Sequence, residues 1–140
     1  MTISKKIMIT ICMIILVACS NEQATVKTKN VNVSDLDQSL QTWIENNSNE
    51  VGIYVKKITG DHVQTEDISY LVYSRKELSY DYRITKSKYK DGTLSIYLND
   101  KMASNDHYVK KESLAIITLN TQPNKIELYL NDEKANFKLE

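Results

Sequence analysis

The sequence predicts an α+β domain in which one N-terminal amphipathic helix packs on a mainly antiparallel, curved β-sheet of about six to eight strands. Three observations predict this fold class. Around Trp43, apolar residues recur at the spacing of one face of a helix. After Asn49, apolar and polar residues alternate, as they do in a strand with one buried face. The pair Asp91-Gly92, between two alternating segments, is typical of the two-residue turn of a β-hairpin.

The first 18 residues predict an export signal peptide. Lys5 and Lys6 precede an almost wholly apolar run of 12 residues, Ile7 to Ala18. A transmembrane helix needs about 20 apolar residues, so this run is too short to cross a bilayer and is typical of the hydrophobic region of a signal. The alternative interpretation, a short buried helix of the domain, leaves the preceding basic pair and the final small residue without a reason.

The apolar run ends in Leu16-Val17-Ala18-Cys19, which resembles the lipobox of bacterial lipoproteins. In that family the cysteine sulfur carries a diacylglyceryl group, and signal peptidase II cuts just before the cysteine. The resemblance implies that residues 1–18 are removed and that Cys19 becomes an acylated, palmitate-type anchor in the cell membrane, with the chain on the extracytoplasmic face. Frequent Lys and Asn residues favour a Gram-positive bacterium. The resemblance covers only the start of the chain.

The exported part of the chain, residues 19–140, is long enough for one domain. The resemblance implies that Cys12 leaves with the signal peptide and that Cys19 carries lipid, so we expect no disulfide and a domain that depends on its apolar core. Loss of Lys5 and Lys6 reduces the 18 basic residues to 16, against 18 acidic ones. This near neutrality argues against a nucleic-acid partner, which requires a strongly basic face.

Residues 19–33 are predicted to form the lipidated N-terminus and a polar tether, and the single domain is predicted to span residues 34–140. Val26, Val31 and Val33 are too isolated in this polar segment to form an apolar face. An alternative is that part of the segment pairs as an edge strand.

A helix is predicted at about residues 35–47, in the segment SDLDQSLQTWIENN. Ser34 is the expected N-cap, and Asp35 and Asp37 place negative charge in the first turn, where the helix dipole favours it. The apolar stripe consists of Leu36, Leu40, Trp43 and Ile44. Its place in this stripe makes Trp43 a core residue rather than a platform for a ligand.

Several later segments are predicted to be strands. Residues 51–56 and 125–130 alternate, residues 67–74 and 114–119 are apolar enough to be covered on both faces, and a last short strand includes Phe137 and Leu139. Most connections are short, which favours an antiparallel order.

The segment from Tyr80 to Asp100 is predicted to be a hairpin, because Gly92 adopts a positive φ without steric cost. A two-residue turn sets the register, with these expected pairs: Lys90 opposite Thr93, Tyr89 opposite Leu94, Ser87 opposite Ile96, and Thr85 opposite Leu98. One face then carries Tyr89, Leu94, Ile96 and Leu98 toward the core, and the other carries Lys86, Lys88, Lys90, Ser95 and Tyr97 toward water.

The outward face of this hairpin is the candidate binding site. Its predicted members are Lys86, Lys88, Lys90, Tyr97 and Tyr82, with Tyr80 and Arg75 nearby. Lysine supplies charge and tyrosine a flat amphipathic surface, so the face could hold an anionic polymer, lipid headgroups or the edge of a protein. The alternative is that the lysines only protect an exposed strand from edge pairing.

Signals for catalysis, metals and cofactors are weak. His62 and His107 lie in separate polar segments with no cysteine to complete a zinc site, so no metal is expected. Three scattered glycines cannot build a phosphate loop, and the chain has no Gly-x-Ser-x-Gly motif, so no cofactor is expected. Paired carboxylates leave no spacing signature, and the nominees are Glu45, Glu66-Asp67 and Asp132-Glu133.

These observations favour a membrane-anchored, non-catalytic binding or accessory module with a protein or cell-envelope partner. Two alternatives stay open. One is a small cell-envelope hydrolase that uses two carboxylates. The other is an inhibitor or sensor subunit that adds a strand to its partner.

The lipid anchor makes one direct prediction. Cys19→Ala removes the sulfur that would be acylated, so we expect an unlipidated precursor that keeps its signal peptide. Metabolic labelling with a fatty-acid analogue measures this, and label retained by the variant would refute the assignment of Cys19.

Overall fold

In a computed structural model of the chain, the structure describes residues 24–58, 67–76, 80–102 and 112–140, so the predicted signal peptide and Cys19 lie outside the described residues. The described residues form nine strands and one α-helix. The strands are β1 (Val26–Asn30), β2 (Gly52–Ile58), β3 (Ile68–Arg75), β4 (Tyr80–Lys90), β5 (Thr93–Met102), β6 (Glu112–Leu119), β7 (Lys125–Leu130), β8 (Glu133–Ala135) and β9 (Lys138–Leu139). A 3₁₀ turn at Val33–Asp35 precedes helix α1, Gln38–Asn47.

The strands form two sheets. Sheet A has the order β1-β6-β3-β2-β9, and sheet B has the order β4-β5-β7-β8. Both sheets are mixed, because β2 pairs with β9 and β5 pairs with β7 in parallel. The predicted α+β class, with one mainly antiparallel curved sheet, is therefore wrong. The fold is β-rich, with two stacked mixed sheets.

The path of the chain between the sheets explains this error. After β5 in sheet B the chain forms β6 in sheet A, and then returns to sheet B as β7. A strand of the other sheet thus separates β5 from β7, which leaves these two neighbours parallel. Short connections indicate antiparallel neighbours only where successive strands lie in the same sheet.

The main core lies between the two sheets. Sheet A contributes residues of β2, β3 and β6, including Val55, Val72 and Ile117, and sheet B contributes residues of β4, β5 and β7, including Leu94, Ile96 and Leu128; Ile84 and Leu98 are also in this cluster. Alternation along each strand places every second side chain here. The apolar faces of two sheets therefore cover each other, without any disulfide among the described residues.

Helix α1 covers the opposite face of sheet A. Leu40, Trp43 and Ile44 are buried, and they pack on Tyr54, Leu71, Tyr73 and Leu114. The Trp43 ring meets the Tyr54 and Tyr73 rings edge-on, with centroids 6.5 and 6.4 Å away, and its Nε1 donates a hydrogen bond of 2.6 Å to Glu140 Oε2. The prediction that Trp43 is a core residue is confirmed.

The start of α1 differs from the prediction. Asp37 is the N-cap, and its Oδ1 accepts a 3.0 Å hydrogen bond from the backbone N of Leu40. The predicted cap, Ser34, lies instead in the 3₁₀ turn. Both residues are good caps in isolation, and the earlier turn is stabilised by Asn32, whose backbone N donates to Asp35 Oδ2 over 3.1 Å.

Strand β1 corrects the predicted tether. Val26–Asn30 pairs antiparallel with β6 at the edge of sheet A, so the alternative interpretation of an edge strand holds for these residues. The hydroxyl groups of Thr28 and Ser87 also form a hydrogen bond, which joins β1 to β4 across the two sheets. Any tether from Cys19 therefore ends near Val26 rather than at Val33.

The other strand predictions are confirmed in position. β3 and β6 lie inside sheet A and are buried on both faces, as their apolar composition indicated. Strands β2, β7 and β9 fall within or close to the predicted segments. Within the described ranges, no helix is long and apolar enough to cross a membrane.

The predicted β4–β5 hairpin forms, and most of its register is confirmed. Asp91 and Gly92 have φ values of 50° and 77°, and the pairs from Lys86–Tyr97 to Lys90–Thr93 are those expected. The pair Thr85–Leu98 is wrong, because a β-bulge at this point places Ile84 opposite Leu98. The bulge moves Ile84 to the core face, where it is 2% exposed.

A second tight hairpin was not predicted. Asn131 and Asp132 have φ values of 51° and 67° and connect β7 to β8. Asn and Asp tolerate the left-handed region better than other residues with a side chain. This turn adds β8 beside β7, where its short sequence had given no strand signal.

The core between the sheets makes a stability prediction. Ile96→Ala should lower the free energy of unfolding by about 2 to 5 kcal/mol, because it removes buried methyl groups and leaves a cavity. Ser95→Ala, at the next position on the opposite face of β5, is the control and should change it by less than about 0.5 kcal/mol. Chemical denaturation followed by Trp43 fluorescence measures both. Equal effects of the two substitutions would contradict this account of the core.

Candidate binding face on sheet B

Sheet B has one face that neither the other sheet nor the helix covers in the described structure. Leu94, Ile96 and Leu128 point into the core, so the alternate positions of β4, β5, β7 and β8 form the outer face. We call this surface the basic–tyrosine face; its members are Lys86, Lys88, Lys90, Thr93, Ser95, Tyr97, Lys125, Glu127, Tyr129 and Lys134.

The strand registers arrange this face in rows. Lys86, Tyr97, Tyr129 and Lys134 are directly paired, so one row crosses all four strands of sheet B. Lys88, Ser95 and Glu127 form the next row, and Lys90, Thr93 and Lys125 form the third. Directly opposed side chains on one face lie close enough to interact. The basic and aromatic residues therefore form a continuous surface.

The two tyrosines at the centre of the first row stack on each other. The ring centroids of Tyr97 and Tyr129 are 5.1 Å apart, and the ring planes differ by 14°. The ammonium groups of Lys86 and Lys88 lie 4.9 and 5.9 Å from the centroid of the Tyr97 ring, within the range of a cation–π contact. These contacts hold the two lysines against the face at little desolvation cost, because the charged groups stay in water.

Glu127 joins the strands at the other side of the face. Its carboxylate accepts bonds of 2.7 Å from Lys125 and 2.9 Å from Lys134, and one of 2.7 Å from the Tyr129 hydroxyl. These three donors lower the pKa of Glu127 from 4.5 to about 2, with Lys125 as the largest cause. The same hydrogen bond to Glu127 raises the pKa of Tyr129. Glu127 is thus ionised, and it positions the side chains around it.

Positive charge exceeds negative charge on this face. Five lysines stand against the single carboxylate of Glu127, and that carboxylate is shared by Lys125 and Lys134. Lys86, Lys88 and Lys90 are exposed. A surface of this kind attracts anionic groups and repels cations, and salt screens both effects.

The structure brings four of the predicted site residues together, namely Lys86, Lys88, Lys90 and Tyr97. Tyr82 lies in β4 beyond the bulge, opposite Asp100, and its side chain is outside the described residues. The side chain of Tyr80, at the start of β4, is also outside the described residues. Arg75 ends β3 in sheet A, where its Nη1 lies 3.9 Å from Glu112, so it does not belong to this face.

Half of the face, the part that β7 and β8 supply, was not predicted from the sequence. Lys125, Glu127 and Tyr129 occupy the polar positions of the alternating segment KIELYL, so the signal for an outward face was present. Nothing in the segment indicates that β7 lies beside β5 in parallel. The stack of Tyr97 on Tyr129 depends on this pairing between residues distant in sequence.

The nominated carboxylates are not gathered at one place. Glu45 lies on α1, Asp67 precedes β3, and Asp132-Glu133 lies at the β7–β8 turn, at the other end of the strands from Asp67. Glu66, His62 and His107 lie outside the described residues. In the described ranges, no group of three His, Cys, Asp or Glu residues is placed to hold a metal ion.

Comparison of the chain with protein-family models, with curated proteins and with solved structures found no match. Its class is therefore defined by its own architecture, a two-sheet β-rich domain with one covering helix and one open sheet face.

Glu127 and its three partners, Lys125, Lys134 and Tyr129, which we call the Glu127 cluster, lead to a prediction about pH. The pKa of Glu127 is lower in the folded chain than its ordinary value of 4.5, so its contribution to stability is present above about pH 4.5 and is lost as the pH falls toward about 2. Glu127→Gln lacks an ionisable group, so its unfolding free energy should fall less over this range than that of the wild type. Chemical denaturation at a series of pH values measures the difference.

Glu45→Gln is the control for this experiment, because it removes a carboxylate from α1 and leaves the Glu127 cluster intact. The Glu45→Gln variant should keep the pH-dependent contribution of Glu127 to the free energy of unfolding. Identical pH dependence in the wild type and Glu127→Gln would contradict the assigned role of this carboxylate.

Proposed function

We propose that this chain is an exported, lipid-anchored binding module, and that its basic–tyrosine face binds an anionic partner in the cell envelope, either a protein or a polymer. The observation that carries the proposal is the row formed by Lys86, Tyr97, Tyr129 and Lys134, which crosses every strand of sheet B on its uncovered face. The fold supplies a rigid platform for this row, since each residue projects from a hydrogen-bonded strand. Such a site can bind without any catalytic group.

The geometry of the tyrosines favours recognition by charge. One face of each ring is covered by the other tyrosine, and Lys86 and Lys88 lie over the Tyr97 ring. Little ring surface of Tyr97 is therefore left for a sugar or another flat ligand to stack on. The groups that remain available are the ammonium groups of Lys86, Lys88 and Lys90 and the edges of the rings, which interact favourably with carboxylates or phosphates.

The anchor in this proposal is a diacylglyceryl group on Cys19. The support is the resemblance of Leu16-Val17-Ala18-Cys19 to a lipobox, together with the apolar segment before it. Two acyl chains give stable membrane attachment where one is marginal. Attachment confines the domain to a thin layer beside the membrane, so even a weak face gains effective concentration for partners held in the same layer.

The alternative functions have less support in the described structure. A hydrolase with two carboxylates requires the pair to lie close together, whereas Asp67 and Asp132 are at opposite ends of the strands. Strand addition requires an accessible edge, and the two longest edge strands both carry exposed lysines: Lys27 and Lys29 on β1, and Lys86, Lys88 and Lys90 on β4. Lysines on an edge strand oppose such pairing.

The binding face is tested by reversal of its charges. Lys86→Glu combined with Lys88→Glu should leave the fold intact and weaken capture of the partner about tenfold or more, because two attractions become repulsions. Crosslinking in intact cells with a reagent that couples lysine amines to carboxylates, followed by identification of the neighbours, gives the partner; binding to the purified, detergent-solubilised chain then gives the affinity. An anionic polymer without carboxylates binds the purified chain but is not crosslinked in cells, because the reagent couples lysine amines to carboxylates.

The matched control is Lys27→Glu combined with Lys29→Glu, which makes the same charge change on β1, away from the face. Its affinity for the partner should stay close to that of the wild type. If the wild type and the variant with Lys86→Glu and Lys88→Glu bind the partner with equal affinity, the basic–tyrosine face is not the binding site.

A further inference from the structure

The basic–tyrosine face changes in character from one strand to the next. After the bulge, the outward positions of β4 are lysines, those of β5 carry hydroxyl groups, and those of β7 include a carboxylate. Strand by strand they are Lys86, Lys88 and Lys90, then Tyr97, Ser95 and Thr93, and then Tyr129, Glu127 and Lys125. Neighbouring strands lie about 4.8 Å apart, so a ligand meets these groups in a fixed order across the sheet.

The lysines of β4 form a column of regularly spaced charge. Lys86, Lys88 and Lys90 occupy alternate positions, so their Cα atoms repeat at about 6.6 Å, at roughly 3.3 Å per residue. All three side chains are exposed. The ammonium groups of Lys86 and Lys88 lie 4.9 and 5.9 Å from the Tyr97 ring centroid, which draws them from the edge of the sheet toward β5.

Two short side chains on β5 form a shallow groove beside this column. Ser95 lies between Lys88 and Glu127 in its row, and Thr93 lies beside Lys90 in the next. The side chains that flank them on β4 and β7 are all longer. We call the strip over Ser95 and Thr93 the β5 groove. A narrow ligand in it reaches lysines at one side and hydroxyl groups below.

Glu127 sets the direction in which an anionic ligand can lie. Its carboxylate is ionised and occupies the middle row of β7, so it repels an anion that crosses the sheet there. Lys125 and Lys134 already pair with it, over 2.7 and 2.9 Å. The three lysines of β4 form no ion pair with any described residue. An anionic chain is therefore favoured along β4 and β5 rather than across the strands.

The dimensions of the face favour a polymer over a protein. Four strands and three rows cover about 14 by 13 Å, or roughly 200 Å², at the usual spacings. A specific protein interface buries about 800 Å² on each partner and has an apolar centre. Among the described residues, the exposed large apolar side chains are Val33, Val51 and Leu139, and none of them lies on sheet B. A thin charged chain needs neither the area nor the apolar centre.

We infer that the anionic partner is an unbranched phosphodiester polymer with a three-carbon unit between phosphates, which lies in the β5 groove beside the lysines of β4. This inference rests on the proposed function and names its ligand. Six bonds join one phosphorus atom to the next, and since the three backbone bonds of a residue extend about 3.3 to 3.6 Å, six bonds extend about 7 Å. That repeat is close to the lysine spacing of about 6.6 Å, so three successive phosphates each meet one lysine.

The stereochemistry of a phosphodiester suits this groove. Its charge lies in the chain itself, and its two free oxygens point away from the chain axis in different directions. One oxygen can accept from a lysine of β4 while the other accepts from the hydroxyl group of Ser95 or Thr93. Hydrogen bonds to a charged acceptor are stronger than neutral ones. A carboxylate on a peptide side chain turns both oxygens the same way and leaves the peptide backbone above the lysines.

The test titrates the purified, detergent-solubilised chain with glycerol phosphate oligomers of one to four phosphates, by isothermal titration calorimetry at low ionic strength. Each phosphate up to the third should tighten binding about threefold, because it meets another lysine, and the fourth should add less than about twofold. A trimer whose phosphates are joined by hexaethylene glycol has the same charge at a longer repeat. It should bind at least about threefold more weakly than the glycerol trimer.

Lys88→Gln removes the middle lysine of the column and should weaken binding of the glycerol trimer about threefold or more. Lys29→Gln is the matched control, because it makes the same charge change at an exposed position of β1. Its affinity for the trimer should stay close to that of the wild type. Circular dichroism checks that both variants are folded.

Equal affinity for the two trimers would overturn the inference. So would equal or tighter binding of an end-blocked Glu-Ser-Glu-Ser-Glu peptide, which would assign the face to an acidic protein, or displacement of the trimer by phosphatidylglycerol in the micelles, which would assign it to lipid headgroups. The proposed function survives these results if Lys86→Glu combined with Lys88→Glu still loses the cellular partner. If that variant keeps its partner, the proposed function fails together with the inference.

Discussion

The apolar contact between the two sheets is the interaction on which the rest of this structure depends. Val55, Val72 and Ile117 of sheet A meet Leu94, Ile96 and Leu128 of sheet B, and all six side chains are fully excluded from solvent. Because the side-chain period of a strand is two, this contact also decides which residues face outward. The same register that buries Ile96 exposes Ser95 and Tyr97 on the opposite face.

The polar surface of sheet B follows from that constraint. Once β5 and β7 are paired in parallel with their apolar residues inward, Tyr97 and Tyr129 must lie side by side. The antiparallel pairing of β7 with β8 brings Lys134 to Glu127, which also pairs with Lys125 of its own strand. The lysines of these two ion pairs are 60% and 63% exposed, which limits what the pairs add to stability. Their effect is to position charge: one carboxylate holds two lysines and a tyrosine hydroxyl, and the remaining lysines stay available at the surface.

Local patterns predicted the elements well and their assembly poorly. The stripe through Leu40, Trp43 and Ile44 identified the helix, and Asp91-Gly92 identified the hairpin with its register as far as Lys86. Both are interactions between residues near in sequence. The bulge beyond Lys86 was not foreseen, since Ile84 reaches the core only because a second sheet lies beneath it. The edge strand at Val26 is similar, because five mostly polar residues pair only where β6 offers a partner.

The sequence by itself determined where the chain is helical, where most of its strands lie, which of their residues are apolar, and that Lys86, Lys88 and Tyr97 share a face. Only the tertiary structure decided that the strands divide into two sheets, that β7 completes the face with Tyr129, and that β1 enters at the end that carries Lys90. The physical reason is the range of the interactions. Periodicity and turn chemistry act within about ten residues, whereas the choice of strand partners depends on burial shared by segments that only the folded chain brings together.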